Sequence, residues 1–153
     1  MNIEVRYFSR LGSNQKLAEE ITQELISQGF QNTTCKDLQQ PFDTKVDVLF
    51  LGGAVYFWRL DKHIRKFIST LPVDKIGLLA AFGKSGNSNS PQKILKRVKK
   101  KQIPTSDKTL LFITPNKNNH RAERIKEFIS SVMTNLNQSV ETNQPQTTTP
   151  NEN

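Results

Sequence analysis

Two periods alternate along the chain. Ile3, Val5 and Tyr7 fall at every second position, the spacing of a strand with one apolar face, which predicts a strand over Ile3–Phe8. Leu17, Ile21 and Leu25 then recur four apart, predicting a helix over Lys16–Gln28 that stops at Gly29. Thr33–Leu38 reads as a weaker strand. Val46–Gly53 is an almost continuous apolar run, the pattern of a strand buried on both faces. In Asp61–Leu71 the residues Ile64, Phe67, Ile68 and Leu71 take helical spacing, with Pro72 just beyond. Lys75–Phe82 follows as a fourth strand. Ser90 then reads as a helix cap before Pro91, and Ile94, Leu95 and Val98 line the next helix. Thr109–Thr114 is a fifth strand. His120–Leu136 closes the pattern with Ile125, Phe128, Ile129, Val132 and Leu136 on one stripe.

This is a βα alternation repeated five times. It predicts an α/β fold with a parallel sheet and helices on both faces. Five strands are too few for an eight-stranded barrel, so the sheet is open and doubly wound. Its ligand site is expected outside the carboxyl ends of the strands. Residues 137–153 break the pattern. Four Asn, three Gln, four Thr and two Pro stand there with a single aliphatic, Val140. Such a segment cannot offset an ordering cost of roughly 1–2 kcal/mol per residue. The chain therefore divides into one domain, 1–136, and a disordered tail, 137–153.

Four loops leave the carboxyl ends of the first, third, fourth and fifth strands. Ser9–Gln15 offers hydroxyls, a glycine and the free amides of a helix start, a setting for a phosphate. The same residues also suit an ordinary turn with Ser13 as the cap. Gly53–Leu60 carries Tyr56, Phe57 and Trp58 in succession. Three consecutive side chains cannot all enter one core face, and aromatic rings stack on planar heterocycles. Tyr56 and Trp58 are the candidate stacking rings; packing under the following helix is the competing use. Gly83–Ser90 is polar and long enough to close over a ring, or to be a plain surface loop. Pro115–Asn119 is polar and carries no motif.

Three stretches together resemble the flavodoxin-like family, over about residues 1–134. Residues 7–21 (YFSRLGSNQKLAEEI) are similar to its phosphate loop and first helix. Residues 47–68 (DVLFLGGAVYFWRLDKHIRKFI) are similar to its third strand, aromatic flavin loop and following helix. Residues 78–88 (LLAAFGKSGNS) are similar to its fourth strand and second flavin loop. The resemblance implies the 2-1-3-4-5 strand order, for which flavodoxin is a standing example, and the short-chain form, since no insertion splits the fifth strand. It implies non-covalent FMN. The phosphate would lie on Ser9, Arg10, Leu11, Gly12, Ser13 and Asn14. The ring would lie against Ala54, Val55, Tyr56, Phe57 and Trp58 on one side and Phe82, Gly83, Lys84, Ser85 and Gly86 on the other. No side chain need act as an acid or base, because the flavin carries the redox chemistry. The implied role is electron transfer between partners, or FMN-dependent reduction of a small acceptor such as a quinone. A flavodoxin-like oxidase acting on protoporphyrinogen at a membrane is a narrower version.

The phosphate loop departs from the family's usual S/T-x-T-G-N-T. Leu11 stands where a threonine is expected, and Ser13-Asn14 replaces Asn-Thr. Each lost hydrogen bond to a charged group costs about 1.5–3 kcal/mol, or one to two decades in affinity. A non-enzymatic interaction module with weak or lost FMN binding is the alternative.

Charge changes the picture next. The net +8 combines a +10 body with a tail that holds only Glu141 and Glu152. Within the four loops stand Arg10, Arg59, Lys84 and Lys117 and no carboxylate. A positive rim would stabilise the reduced, anionic flavin and raise its potential. Residues 92–108 are +6, with Lys93, Lys96, Arg97, Lys99, Lys100 and Lys101 in one run. That run is either a solvated face or a docking patch for an acidic redox partner. Nucleic acid is disfavoured, because no aromatics interleave with these cations in the sequence.

The remaining residues mostly exclude. Cys35 is the lone cysteine, so an intramolecular disulfide and a zinc finger are both ruled out, and a structural role is expected of it. His63 and His120 lie far apart in the chain, and no metal site is expected. His63 follows the aromatic loop and is either near a bound substrate or on a surface helix. No apolar run reaches bilayer length, and Glu4 and Arg6 break any leader pattern in the first eight residues. The expected compartment is the cytoplasm.

Overall fold

The computed structural model describes residues 1–56, 58–85, 89–113 and 120–142. Its strands are β1 (Ile3–Tyr7), β2 (Thr33–Asp37), β3 (Val46–Gly52), β4 (Val55–Tyr56), β5 (Arg59–Leu60), β6 (Ile76–Ser85) and β7 (Thr105–Ile113). Its helices are α1 (Ser13–Ser27), α2 (Lys62–Thr70), α3 (Ser90–Lys99) and α4 (Arg121–Thr142). Five strands form one sheet in the order β2-β1-β3-β6-β7, with every pairing parallel. Counted without the β4–β5 hairpin, this is the expected 2-1-3-4-5 order. The hairpin is a separate antiparallel pair.

The alternation of side chains in β3 explains the two layers. Val48 and Phe50 point into a core shared with Leu17, Ile21 and Leu25 of α1 and Ile125, Ile129 and Val132 of α4. Leu49 and Leu51 point the other way, into a core with Ile64 and Ile68 of α2 and Ile94, Leu95 and Val98 of α3. All four β3 residues are fully buried, as the continuous apolar run predicts. Burying a Leu, Val or Phe side chain stabilises by roughly 1.5–3 kcal/mol, so this central strand anchors both layers.

Several expectations need correction. The βα unit does not repeat five times: no helix lies between β2 and β3. The eight residues between them are too few for the usual helical crossover. Arg6 holds this connection instead. Its guanidinium donates to the carbonyls of Asp37, Gln40 and Pro41 at 3.0, 2.5 and 2.7 Å. It also pairs with buried Glu4 at 3.2 Å and lies 5.6 Å from the centre of the Phe42 ring. The fourth strand does not end at Phe82. Gly83, Lys84 and Ser85 continue β6, because they pair with Leu111, Phe112 and Ile113 of β7. β7 itself begins at Thr105 rather than Thr109; a register shift near its start absorbs the polar residues that hide it in the sequence. The cap of α3 is Asn89, whose side chain accepts from the Gln92 amide at 3.2 Å, while Ser90 is the first helical residue. α1 starts at Ser13 instead of Lys16, and α4 runs to Thr142, six residues beyond the expected end.

Candidate functional site

The carboxyl ends of β1, β3 and β6 meet where the first three loops begin. After β1, Gly12 caps α1 in the left-handed region, with φ of 87°. Only glycine adopts that angle without strain, so the residue turns the chain sharply into the helix. The first turn of α1 carries no acid. The positive end of its helix dipole therefore meets no carboxylate of its own turn, which favours an anion there. Ser9 Oγ accepts from the Asn14 amide at 3.3 Å. Asn14 is buried, and its Oδ1 accepts from the Lys84 amide at 2.9 Å. That bond ties the first loop to the end of β6 across the sheet edge.

Glycines let the other two loops close on this edge. A Cβ on Gly52 would enter the Phe82 ring, and one on Gly53 would meet Ile64 at 2.6 Å. A Cβ on Gly83 would strike Ser90 Oγ and come within 2.7 Å of the Gly53 carbonyl. The backbones of the aromatic loop and the β6 end thus approach closer than side chains allow.

Asp61, one residue past β5, organises the space beside the first loop. Its carboxylate caps α2 by accepting from the His63 amide at 2.8 Å and contacts His63 Nδ1 at 2.9 Å. Its second oxygen accepts from Arg10 at 3.0 Å. The Arg10 guanidinium lies 4.4 Å from the centre of the Tyr56 ring, and His63 stacks on Phe8 at 4.1 Å. Burial alone would raise the Asp61 carboxyl. The hydrogen bonds from the His63 amide and ring and from Arg10 outweigh it, and hold the carboxyl below its ordinary value. The Tyr56 hydroxyl is pushed up, first by burial and then by Asp61, against the pull of Arg10.

A family profile described as a flavodoxin domain matches residues 5–112, which spans β1 to β7 and all three loops. The chain belongs to the flavodoxin-domain family. No curated relative matches it. Among solved structures it is similar to a flavodoxin from the domain Archaea (TM-score 0.76, 17% identity), covering 90% of this chain and 99% of that one. It is similar to flavodoxin 2 from Bacillus cereus (TM-score 0.65, 13% identity), covering 88% and 99%. It also matches rubredoxin oxygen:oxidoreductase from Desulfovibrio gigas (TM-score 0.73, 13% identity), covering 91% of this chain but 37% of that one. At these identities the structures speak for the fold alone. Membership of the flavodoxin-domain family carries flavin binding and electron transfer to redox partners at the level of the family. No described helix is long and apolar enough to cross a membrane.

The residues of this flavodoxin domain fit a flavin phosphate at the α1 start, where Gly12 turns the chain sharply and Ser13 opens a first turn without acids. The fit is looser at the side chains. Leu11 is 94% exposed and brings no hydroxyl. Arg10 is already paired with Asp61. Phe82 is fully buried among the core residues of the α1 and α4 face, so it can offer only its backbone. Ala54 is buried, and Val55 and Tyr56 are half-buried on the hairpin. Phe57 and Gly86 lie outside the described residues, as does the Ser85 side chain. Trp58 is 74% exposed and lines a cleft with the cations of α3, on the outer side of the hairpin.

The positive rim is weaker than its residues suggest. Asp61 counters Arg10, Arg59 faces the outer cleft, and Lys117 lies outside the described residues. Asp61 is the residue that loop-by-loop reading misses, because it stands one position past the loop. Its signal was its place as cap of the amphipathic helix after the aromatic run. Lys101 also leaves the basic run: its Nζ donates to the carbonyls of Ile68, Ser69 and Leu71 at 2.8, 3.1 and 2.8 Å and caps α2.

Proposed function

We propose that this flavodoxin domain binds FMN non-covalently and passes electrons, either between protein partners or to a small acceptor such as a quinone. One observation carries the reading: the Asn14–Lys84 hydrogen bond sets the helix-start anion cap beside the closely packed glycine edges of β3 and β6. A helix start that favours an anion, tied to close-packed backbone at the ends of β3 and β6, supports FMN with its phosphate at the helix and its ring against that backbone. Ser9, Gly12, Ser13 and Asn14 would hold the phosphate through amides and hydroxyls, with Arg10 and Leu11 on its border. Ala54, Val55 and Tyr56 would flank one ring face. The backbone from Phe82 through Gly86 would meet the opposite edge. FMN supplies the redox chemistry; the chain holds it and sets its potential through Arg10, Asp61 and Lys84.

The partner's docking surface would be the exposed lysines on and just past α3, Lys93, Lys96, Lys99 and Lys100, facing an acidic protein. The cytoplasm would be the protein's place of work. The test is titration of FMN with the purified protein. Quenched flavin fluorescence and a yellow protein that releases FMN on heating support the reading. One observation favours a module that has kept the fold and lost the cofactor: a fully exposed Leu11 replaces a hydroxyl in the phosphate loop. A colourless protein that leaves FMN fluorescence unchanged would establish that alternative.

A further inference from the structure

The strongest unassigned feature is the cleft on the outer side of the β4–β5 hairpin. Six cations converge on a volume of about 180 Å³: Arg59 of β5, Arg65 of α2, Lys93, Lys96 and Arg97 of α3, and Lys100 just past the end of α3. No carboxylate is among the residues lining it. Arg65 and Arg97 are half-buried, while the lysines stand exposed on the rim. Arg65 Nε donates to the Leu60 carbonyl at 3.1 Å, which pins its guanidinium against the end of the hairpin. Like charges repel when brought together, so this convergence stores unfavourable energy that a bound anion would release. Its concavity suits a compact, multiply charged anion. A guanidinium pinned like that of Arg65 also matches phosphate oxygens in pairs.

Trp58 completes the site. It is the chain's one tryptophan, it lines the same cleft, and its ring is mostly exposed. Its backbone takes a φ of 66°, a costly angle for a bulky side chain. An indole held at a strained turn beside six cations is a platform for a planar base. The linear sequence separates Trp58 from the basic run; the fold joins them.

We propose that this cleft is a nucleotide site, with the phosphate chain on Arg65, Arg97 and the surrounding lysines and the base stacked on Trp58. The site uses none of the residues proposed to hold the flavin and goes beyond that reading; a nucleotide here would compete with an acidic partner for Lys93, Lys96 and Lys100. The experiment is calorimetric titration of ATP, and separately of tripolyphosphate, into the full chain at about 50 mM salt, with and without saturating FMN. Both should bind saturably at one site, unaffected by FMN, with ATP about fivefold or more tighter because only it can stack. ATP should also change the Trp58 fluorescence saturably. The double variant Arg65→Gln/Arg97→Gln should weaken both ligands about tenfold or more while FMN fluorescence quenching stays as in the parent. Failure of FMN to bind would sink the proposed function and leave these titrations readable. The nucleotide proposal is overturned by absence of saturable heat, by ATP no tighter than tripolyphosphate, or by displacement of the phosphates by FMN. Binding of polyglutamate without binding of tripolyphosphate would equally overturn it, in favour of a protein-docking face.

Discussion

Arg6 and Asp61 show how single buried charges shape this molecule. Arg6 is fully buried, yet its hydrogen bonds run to three carbonyls of a loop and to Glu4. Replacing it with alanine removes those bonds and leaves Glu4 with only Lys36, at 3.4 Å. Arg6→Ala is expected to cost about 3–5 kcal/mol in urea unfolding. Asp61 acts on charge and pH together. Its carboxyl titrates below the ordinary 3.8 in the folded state, so the unfolded chain binds the proton first as pH falls. Stability from this group is present above pH 4 and is lost as pH drops through the folded value. Asp61→Asn should lack that component of the acid limb, read as a flatter stability curve below about pH 4. The same variant leaves Arg10 uncompensated beside the proposed flavin site. Its FMN midpoint potential should rise by roughly tens of millivolts in a potentiometric titration, and an unchanged potential would separate Arg10 from the flavin.

At the scale of elements, regular periods were readable and polar strand ends were not. The four helices declared themselves because their apolar residues repeat at one spacing, and the central strand because its apolar run is almost unbroken. β6 past Phe82 and β7 before Thr109 carry Gly, Lys, Ser and Asp, and only pairing with a neighbour makes them strands. The site divides the same way. Its loops were legible from their glycines and aromatics, but the Asn14–Lys84 bond joins residues 70 positions apart. The pairing of Arg10 with Asp61 likewise depends on how α2 is set against β1, which no local pattern encodes. Lys101 is the sharpest case, a member of a charge run that spends its charge on the last turn of α2. Lys101→Ala should cost about 1–2 kcal/mol in thermal or urea unfolding, as a lost C-terminal cap. It should leave tripolyphosphate affinity unchanged within about twofold, because its ammonium is already committed to backbone carbonyls rather than to the cleft.

For the whole molecule, the two faces differ in what they leave open. The α1 and α4 face is bound by an Arg121–Glu20 ion pair at 2.7 Å, which joins the two helices. The α2 and α3 face carries the basic cleft, where six cations meet and no carboxylate is among the lining residues. Truncation after Thr142 removes only residues outside the described fold and is expected to leave the melting temperature within about 1 °C, measured calorimetrically. A larger loss would give the tail a place in the fold. The missing helix between β2 and β3 has a further consequence, for motion. A crossover without a helix opens in pieces unless something joins it, and here one side chain gathers three of its carbonyls. Segment 38–42 and the edge strand β2 are therefore expected to open together. Their backbone amides should exchange with solvent as one unit, at a rate governed by how often Arg6 lets go.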